Sequence, residues 1–343
     1  LHGSERDLFV HPLLEALDDG RKERLVRCGQ PAWMEPMLAT LAQPGLMGKD
    51  WIFEQKFDGQ RCLVFREGDA VRLLSRNRKR LNDTYPELER ALRDTGEKRF
   101  IADGEIVAFN GEVSSFSRLQ ERMQTVDRKA AEQSRVAVYL YLFDLMYLDC
   151  CDLCGLDLRT RKDLLENALA FRDPVRFTTH RDGDGVAYWQ EACAKGWEGI
   201  IAKRADSRYL HRRSTDWLKF KCTSRQEFVI GGYTDPGGSR HGFGALLLGY
   251  YRGDDLVYAG KVGTGFGDKS LRELGRHMAL LEQEASPFAD KKRPEGGEHF
   301  IAPELVCEVA FAGWTREGRL RHPRFVGLRD DRSPRDVVRE QPR

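Results

Sequence analysis

No stretch of this chain approaches the apolar length that would span a bilayer, and no basic segment followed by an apolar run opens it. Those two absences predict a cytoplasmic protein with no membrane partner. An excess of one charge is missing too: 56 Lys and Arg stand against 54 Asp and Glu, for a net +2 over 343 residues. A global basic field for nucleic acid is excluded, so any polyanion must be held by a local groove. Arginine clusters at Arg76–Arg80, at Arg212-Arg213 and across Arg316–Arg343 are each what a solvated face also shows. A second Cys-x-x-Cys or a His pair to match Cys151-Asp152-Leu153-Cys154 is absent at zinc-finger spacing, which argues against a zinc knuckle. The eight cysteines are expected as reduced thiols. No internal repeat occurs, and low complexity is confined to the charged C-terminus.

What is present is a globular composition, 41% hydrophobic and 32% charged, long enough for two or three domains. Residues 5–31 carry one helical pattern through Leu13, Leu14, Leu17, Leu25 and Val26, closed by Pro31 and Pro36 around Trp33. From Trp51 the pattern turns to strands. Cys62–Phe65 and Val71–Leu74 flank a Gly68-Asp69 turn, and Phe100–Phe109 precedes an Asn110-Gly111 hairpin turn. Helices are expected after Pro86, over Phe116–Lys129, over Arg159–Phe171, and over Gly185–Lys195 ending at Gly196. Strands are expected at Val136–Tyr147, Gly199–Lys203 and Trp217–Cys222. Beyond residue 223 come Gly-rich turns, about five strands and one helix, Ser270–Leu281, the pattern of a small oligonucleotide-binding barrel.

The most informative run is Trp51-Ile52-Phe53-Glu54-Gln55-Lys56-Phe57-Asp58-Gly59-Gln60-Arg61, a strand leading into a tight turn. Gly59 is expected in a backbone conformation that residues with a Cβ disfavour. Lys56, Asp58 and Arg61 would then crowd one phosphate-sized space, and a lysine in such company can act as a nucleophile. A surface turn with scattered charges is the plainer alternative. Asp103 and Glu105 fall on one face of a strand, where burial demands a cation or a ligand hydroxyl. Tyr139, Tyr141 and Phe143 share a face; the two tyrosines fit a core, and Phe143 stays open between core and base stacking. Glu198 before an apolar strand is a carboxylate of the kind that binds a divalent metal. Lys219 and Lys221 alternate with Leu218 and Phe220 and would clamp a phosphate, or simply line an edge strand.

Taken in order, Lys56-x-Asp58-Gly59-x-Arg61, Ser75-Arg76-Asn77, Asp103-Gly104-Glu105, Phe143-Asp144, Glu198–Lys203 and Trp217–Lys221 resemble the covalent nucleotidyltransferases, most closely the ATP-dependent DNA ligases. His241–Tyr250 and Gly260–Phe266 resemble the barrel of the bacterial end-joining ligases. The resemblance covers roughly residues 33–340 and implies an α+β fold. A helical extension (1–31) would precede an adenylation domain of antiparallel sheets and helices (32–222), followed by an OB-fold barrel (223–343).

The resemblance also implies roles. Lys56 would attack the α-phosphate of ATP and hold AMP as a phosphoramidate. Arg61 and Glu105 would contact the ribose and its phosphate, Phe143 would stack on adenine, and Glu54 and Lys203 would border the nucleotide. Asp58, Glu105 and Glu198 would place Mg2+ or Mn2+, while Lys219 and Lys221 would neutralise the α-phosphate. Arg76 would meet the nucleotide or the 5′-phosphate of the nick. The family's last motif, in the barrel, would bind the nucleotide through Arg329 and orient the pyrophosphate leaving group; it usually reads Arg-x-Asp-Lys, and here Arg329-Asp330-Asp331-Arg332 puts a planar fork where a point charge is usual. A hinge near Thr223–Gln226 would let the barrel swing. The substrate would be nicked duplex DNA, sealed by a nucleoid-associated monomer, with end-joining or repair proteins as expected partners. RNA ligases and capping guanylyltransferases share the lysine chemistry, and a barrel protein that only binds nucleic acid is the non-enzymatic alternative.

Overall fold

A computed structural model describes residues 11–45, 47–125, 127–237, 242–291 and 296–340. The chain divides into two compact units between Phe220 and Lys221. Each has its own hydrophobic core.

Two sheets build the first unit. Among the described residues, seven strands form the larger one. Its centre is antiparallel: Ala70–Ser75, Gln60–Glu67, Arg99–Val107 and Tyr139–Leu148, with Val175–Phe177 added in parallel at the margin. The smaller sheet sets Trp51–Lys56 between Arg181–Asp182 and Gly199–Arg204, then continues through Arg213–Lys221 to Leu38–Leu41. The alternation of each central strand follows from this layering. Val64, Ala102, Leu140 and Leu142 point under the helices, while Leu63, Phe65, Ile101 and Phe143 point toward Ile52, Trp217 and Tyr209. The site therefore lies on a sheet face that is itself half core.

The second unit pairs Asp255–Val262, Leu246–Arg252, Arg225–Thr234 and Glu298–Ala310 antiparallel, with Arg324–Leu328 on the last of these. The helix Asp268–Ala279 falls between the third and fourth of the five in chain order. This is the oligonucleotide-binding barrel topology that the sequence implied.

The N-terminal segment is not one helix. It forms two short helices, Pro12–Glu15 and Asp19–Lys22, and then the strand Val26–Arg27. Pro12 sits in the first turn of one, and the Asp18 side chain caps the other, so the apolar spacing bridges a break. Residues 1–10 of the expected extension lie outside the described residues, as does His241. The helix expected over Phe116–Lys129 is likewise two, Phe116–Met123 and Arg128–Glu132, the second capped by Asp127. Cys28, Cys62, Cys150, Cys151, Cys154 and Cys307 are free thiols; the expectation of reduced cysteine does not extend to Cys193 and Cys222. Among the described residues, no helix is long and apolar enough to cross a membrane.

Candidate active site

Lys56 is the last residue of its strand, and its Nζ forms an ion pair with Glu198 Oε1. Glu198 precedes the partner strand, where Gly199 stands opposite Lys56, so the pairing register itself brings the two together. Glu198 is nearly buried and Lys56 is partly open to solvent.

The chain then crosses to the larger sheet through Asp58 and Gly59. Gly59 is required here for room: a Cβ would lie 2.3 Å from the Ile106 carbonyl oxygen and 2.8 Å from Val107 Cγ1. The expectation of an unusual backbone angle is corrected, because its φ lies outside the left-handed region. Asp58 is nearly buried; its Oδ2 accepts from the Phe116 backbone N–H at 3.3 Å, and its own N–H donates to Ser114 Oγ at 3.0 Å. The turn is thus pinned to the start of the Phe116–Met123 helix.

Arg61 is the second residue of the next strand, Gln60–Glu67. Its Nε and Nη2 donate to the two oxygens of Asp103, each at 2.5 Å, and Nη2 also reaches the Met37 carbonyl at 3.0 Å. Tyr209 Oη donates to Asp103 Oδ2 at 2.6 Å and accepts from Met37 N–H at 2.9 Å. Burial opposes the charge on Arg61, but Asp103 outweighs it and raises the guanidinium pKa. Burial, followed by the Asp103 charge, raises the Tyr209 phenol well above its ordinary value and keeps it a donor.

Phe143 sits at a β-bulge, on the face that alternation from Tyr139 and Tyr141 gives it. Asp103 faces Asp144 and Gly104 faces Leu142, so Phe143 is the extra residue, and it lies in the inter-sheet layer. Arg61 Cζ lies 4.8 Å and Lys203 Nζ 4.3 Å from its ring centre, and Trp217 meets it edge-on. Lys203 is buried with Glu54 Oε2 at 2.6 Å, and Lys162 donates to Glu54 Oε1 at 2.7 Å. Burial would raise the Glu54 pKa, yet the two lysines hold it below its ordinary value; burial lowers that of Lys203. Glu54 is two residues before Lys56, so this cluster and the Lys56 amine share one strand face.

Lys56, Arg61, Phe143, Glu54, Lys203 and Glu198 are therefore brought into one region by the two sheets. Other expected residues are placed differently. Among the described residues, no group of three or more His, Cys, Asp or Glu is arranged to hold a metal ion. Glu105 is half-buried opposite Arg61, and Arg76 is half-buried just beyond the strand Ala70–Ser75. Lys219 is half-buried on the strand face of Trp217. Lys221 belongs to the second unit, where it donates to the Arg225 carbonyl at 2.6 Å and pairs with Glu340 at 3.3 Å. Arg329 is buried in that unit, with Asp331 at 2.9 Å and Glu308 at 3.5 Å. Arg332 pairs with Glu227 there at 2.8 Å. Tyr139 and Tyr141 are half-buried rather than in the core, which corrects their reading as core. Lys162, Tyr209 and Trp217 were not foreseen as site residues; Lys162 is buried beside Arg161 and Thr160 on the helix Leu158–Ala168, and its pairing with Glu54 is set by the fold.

Comparison with known proteins follows the same line. Residues 36–221 match the family model described as ATP dependent DNA ligase domain, and residues 239–332 match ATP dependent DNA ligase C terminal region. The chain is 41% identical over 352 residues to the multifunctional non-homologous end joining protein LigD of Pseudomonas aeruginosa, covering 99% of this chain and 41% of that protein. It is 39% identical over 313 residues to the multifunctional non-homologous end joining DNA repair protein LigD of Mycobacterium tuberculosis, covering 90% and 40% respectively. It therefore spans about two fifths of the length of these relatives. A solved structure of mycobacterial DNA ligase D complexed with ATP and MES is similar at a TM-score of 0.63 and 37% identity, covering 90% of this chain and 98% of that one.

Proposed function

From a chain that belongs to the ATP-dependent DNA ligases, we propose a nick-sealing enzyme that works through a covalent lysyl-AMP at Lys56. The observation that carries the residue assignment is the placement of the Lys56 amine at a strand end, against Glu198 and on the same face as Glu54, Lys203 and Phe143. In the first step Nζ bonds to the α-phosphorus of ATP, and the bond to pyrophosphate breaks. Nζ must shed a proton, and Glu198 Oε1 is the acceptor in contact with it. Phosphoryl-type transfer of this kind depends on placement and charge neutralisation more than on covalent help. Arg61, fixed by Asp103 and Met37, holds a rigid cation beside the nucleotide position, and Phe143 offers the ring against which adenine would lie. Lys219 supports the same reading from the neighbouring strand.

A divalent cation, when bound, would neutralise phosphate charge. Glu198, in contact with Lys56, would hold Mg2+ or Mn2+ together with Asp58 and Glu105, and substrate phosphates and water would complete the shell. AMP would next move to the 5′-phosphate of a nick, and the 3′-hydroxyl would displace it to close the strand. Service in end joining belongs to this proposal on the strength of the relatives' names, and action as a monomer at the nucleoid is part of the same reading.

A single-turnover chase tests it. Protein charged with α-labelled ATP and metal, then freed of ATP, is mixed with singly nicked DNA. Label should pass from protein to the 5′-phosphate and on to free AMP with a sealed strand, and Lys56→Ala should take no label. Label that stays on the protein, or moves only to RNA, returns the substrate to the RNA-joining relatives. Nick sealing from ATP by Lys56→Ala would refute the nucleophile.

A further inference from the structure

The sheet face that carries Arg61 extends past the nucleotide site. Arg61 stands opposite Glu105, Glu105 opposite Tyr141, and Tyr141 opposite Arg176 on the parallel edge strand. Residues opposite one another across a ladder share a face, so one row runs from the site to the sheet margin. Tyr139 is two residues from Tyr141 and points the same way. Two further rings join them. Phe57, the residue after Lys56, lies on Tyr141 at 4.3 Å between centroids with a 34° tilt. Phe109 meets Tyr139 at 5.7 Å and Tyr141 at 6.2 Å, both edge-on.

All four rings are half-buried, whereas Leu140 and Leu142 on the other face of the same strand are fully buried. The rings are also held still. Arg176 lies 4.1 Å over Tyr139 and donates to Tyr141 Oη at 2.7 Å. Asp173 takes the remaining edge of that guanidinium at 2.5 and 2.8 Å. Arg176 is therefore occupied as a strut for the tyrosines. Leaving four aromatic side chains partly wet forgoes burial that each could contribute, and the ordering of Arg176 adds to that cost.

We propose that Phe57, Tyr139, Tyr141 and Phe109 form a stacking surface for a nucleotide of the substrate DNA next to the nick. This rests on the ligase reading above. Three features choose DNA as the occupant. The surface begins at the residue beside the nucleophile, so whatever carries the reacting 5′-phosphate must pass it. Ring faces accept any base, which suits an enzyme that must join ends of any sequence. Its continuation along the row is Arg61, a cation of the sort a phosphate chain seeks.

The test places 2-aminopurine on either side of the nick in a duplex and mixes it with protein already carrying AMP. The parent should quench one of the two probes. Tyr141→Leu and Phe57→Leu should lose most of that quench and seal about tenfold more slowly, the scale of one lost base stack, with self-adenylation within twofold of the parent. Tyr141→Phe, which removes only the hydrogen bond from Arg176, should retain quench and sealing. Variants that take AMP and then quench and seal like the parent overturn the stacking surface, and would give the rings to a protein partner. Should Tyr141→Leu fail to fold, Phe57→Leu and Tyr139→Leu decide. A parent that takes no label from ATP brings down the ligase reading itself, a failure visible before DNA is added.

Discussion

The buried cluster of Glu54, Lys162 and Lys203 makes an unequal charge balance, one carboxylate against two ammonium groups. The surplus cation is met by ring faces, with Lys203 Nζ 4.3 Å from Phe143 and 4.2 Å from Trp217. Glu54→Gln would strip both lysines of their anion at once. Breaking a buried pair from one side costs about 3–5 kcal/mol, and two bereaved partners put this change in the upper half of that range. For a unit of this size each kcal/mol moves the midpoint by roughly 2–4 °C, so the first unit should melt about 8–20 °C lower. Lys203→Met does the reverse: it keeps Glu54 with Lys162, removes the surplus charge and fills similar volume. Its cost should be only about 1–2 kcal/mol, mostly the lost ring contacts. Thermal unfolding of the full chain, followed by near-ultraviolet circular dichroism and resolved into two transitions, compares them. The sign of the pH dependence is a second check. The Glu54 pKa is lowered on folding, so its contribution is complete above the ordinary carboxylate value of 4.5 and is lost as pH falls through the folded value. The gap between parent and Glu54→Gln should therefore close in acid. Equal melting of Glu54→Gln and Lys203→Met, or a gap that widens in acid, would refute the charge accounting.

Two further outcomes follow from the geometry. Gly59→Ala drives a methyl group into the Ile106 carbonyl and should cost about 1–3 kcal/mol or more while cutting AMP labelling at least tenfold. Gly29→Ala, with open space around it, is the matched control, and normal labelling by Gly59→Ala would show that the crossing tolerates a side chain. In the second unit, burial disfavours the Asp331 carboxylate, but Arg329 and Arg332 hold its pKa below the ordinary 3.8. That stabilisation is present above 3.8 and disappears as pH falls through the folded value, so the barrel should lose structure in acid. Asp331→Asn should be about 3 kcal/mol less stable at pH 7, with a shallower acid profile; an unchanged profile would place the acid response elsewhere.

The legible parts of this molecule were those whose signal is local. The hairpin Gln60–Glu67 with Ala70–Ser75, the hairpin at Asn110-Gly111 and the helix Gly185–Ala194 ending before Gly196 each carry their own turn chemistry. The order of the motif residues was equally readable, because strand ends deliver them. What stayed hidden depends on distant neighbours. Leu38–Leu41 is four half-buried residues whose partner strand lies at the far end of the unit. The bulge that interrupts the alternation just after Phe143 is a property of the pair of strands, not of either alone. Lys221 and Arg329 were assigned by motif position, whereas their contacts in the second unit are decided by Glu340, Asp331 and Glu308. Asp103 was seen as a carboxylate in need of a cation; that the cation is Arg61, with Tyr209 as a second donor, required the fold.

The strand that bears Lys56 pairs only with segments made much later, Arg181–Asp182 and Gly199–Arg204, and the sheet is completed by Leu38–Leu41 finding Arg213–Lys221. During translation the larger sheet can assemble from hairpins as they emerge, while the strand of Lys56 waits for nearly the whole unit to be synthesised. A ribosome that stalls before residue 199 leaves a nascent chain whose inner apolar face, Leu63, Phe65 and Ile101 among it, has no second layer to cover it. The layer that carries Lys56 is thus completed only when nearly the whole unit exists, and a chain cut short before it leaves apolar surface of the kind that chaperones and proteases recognise.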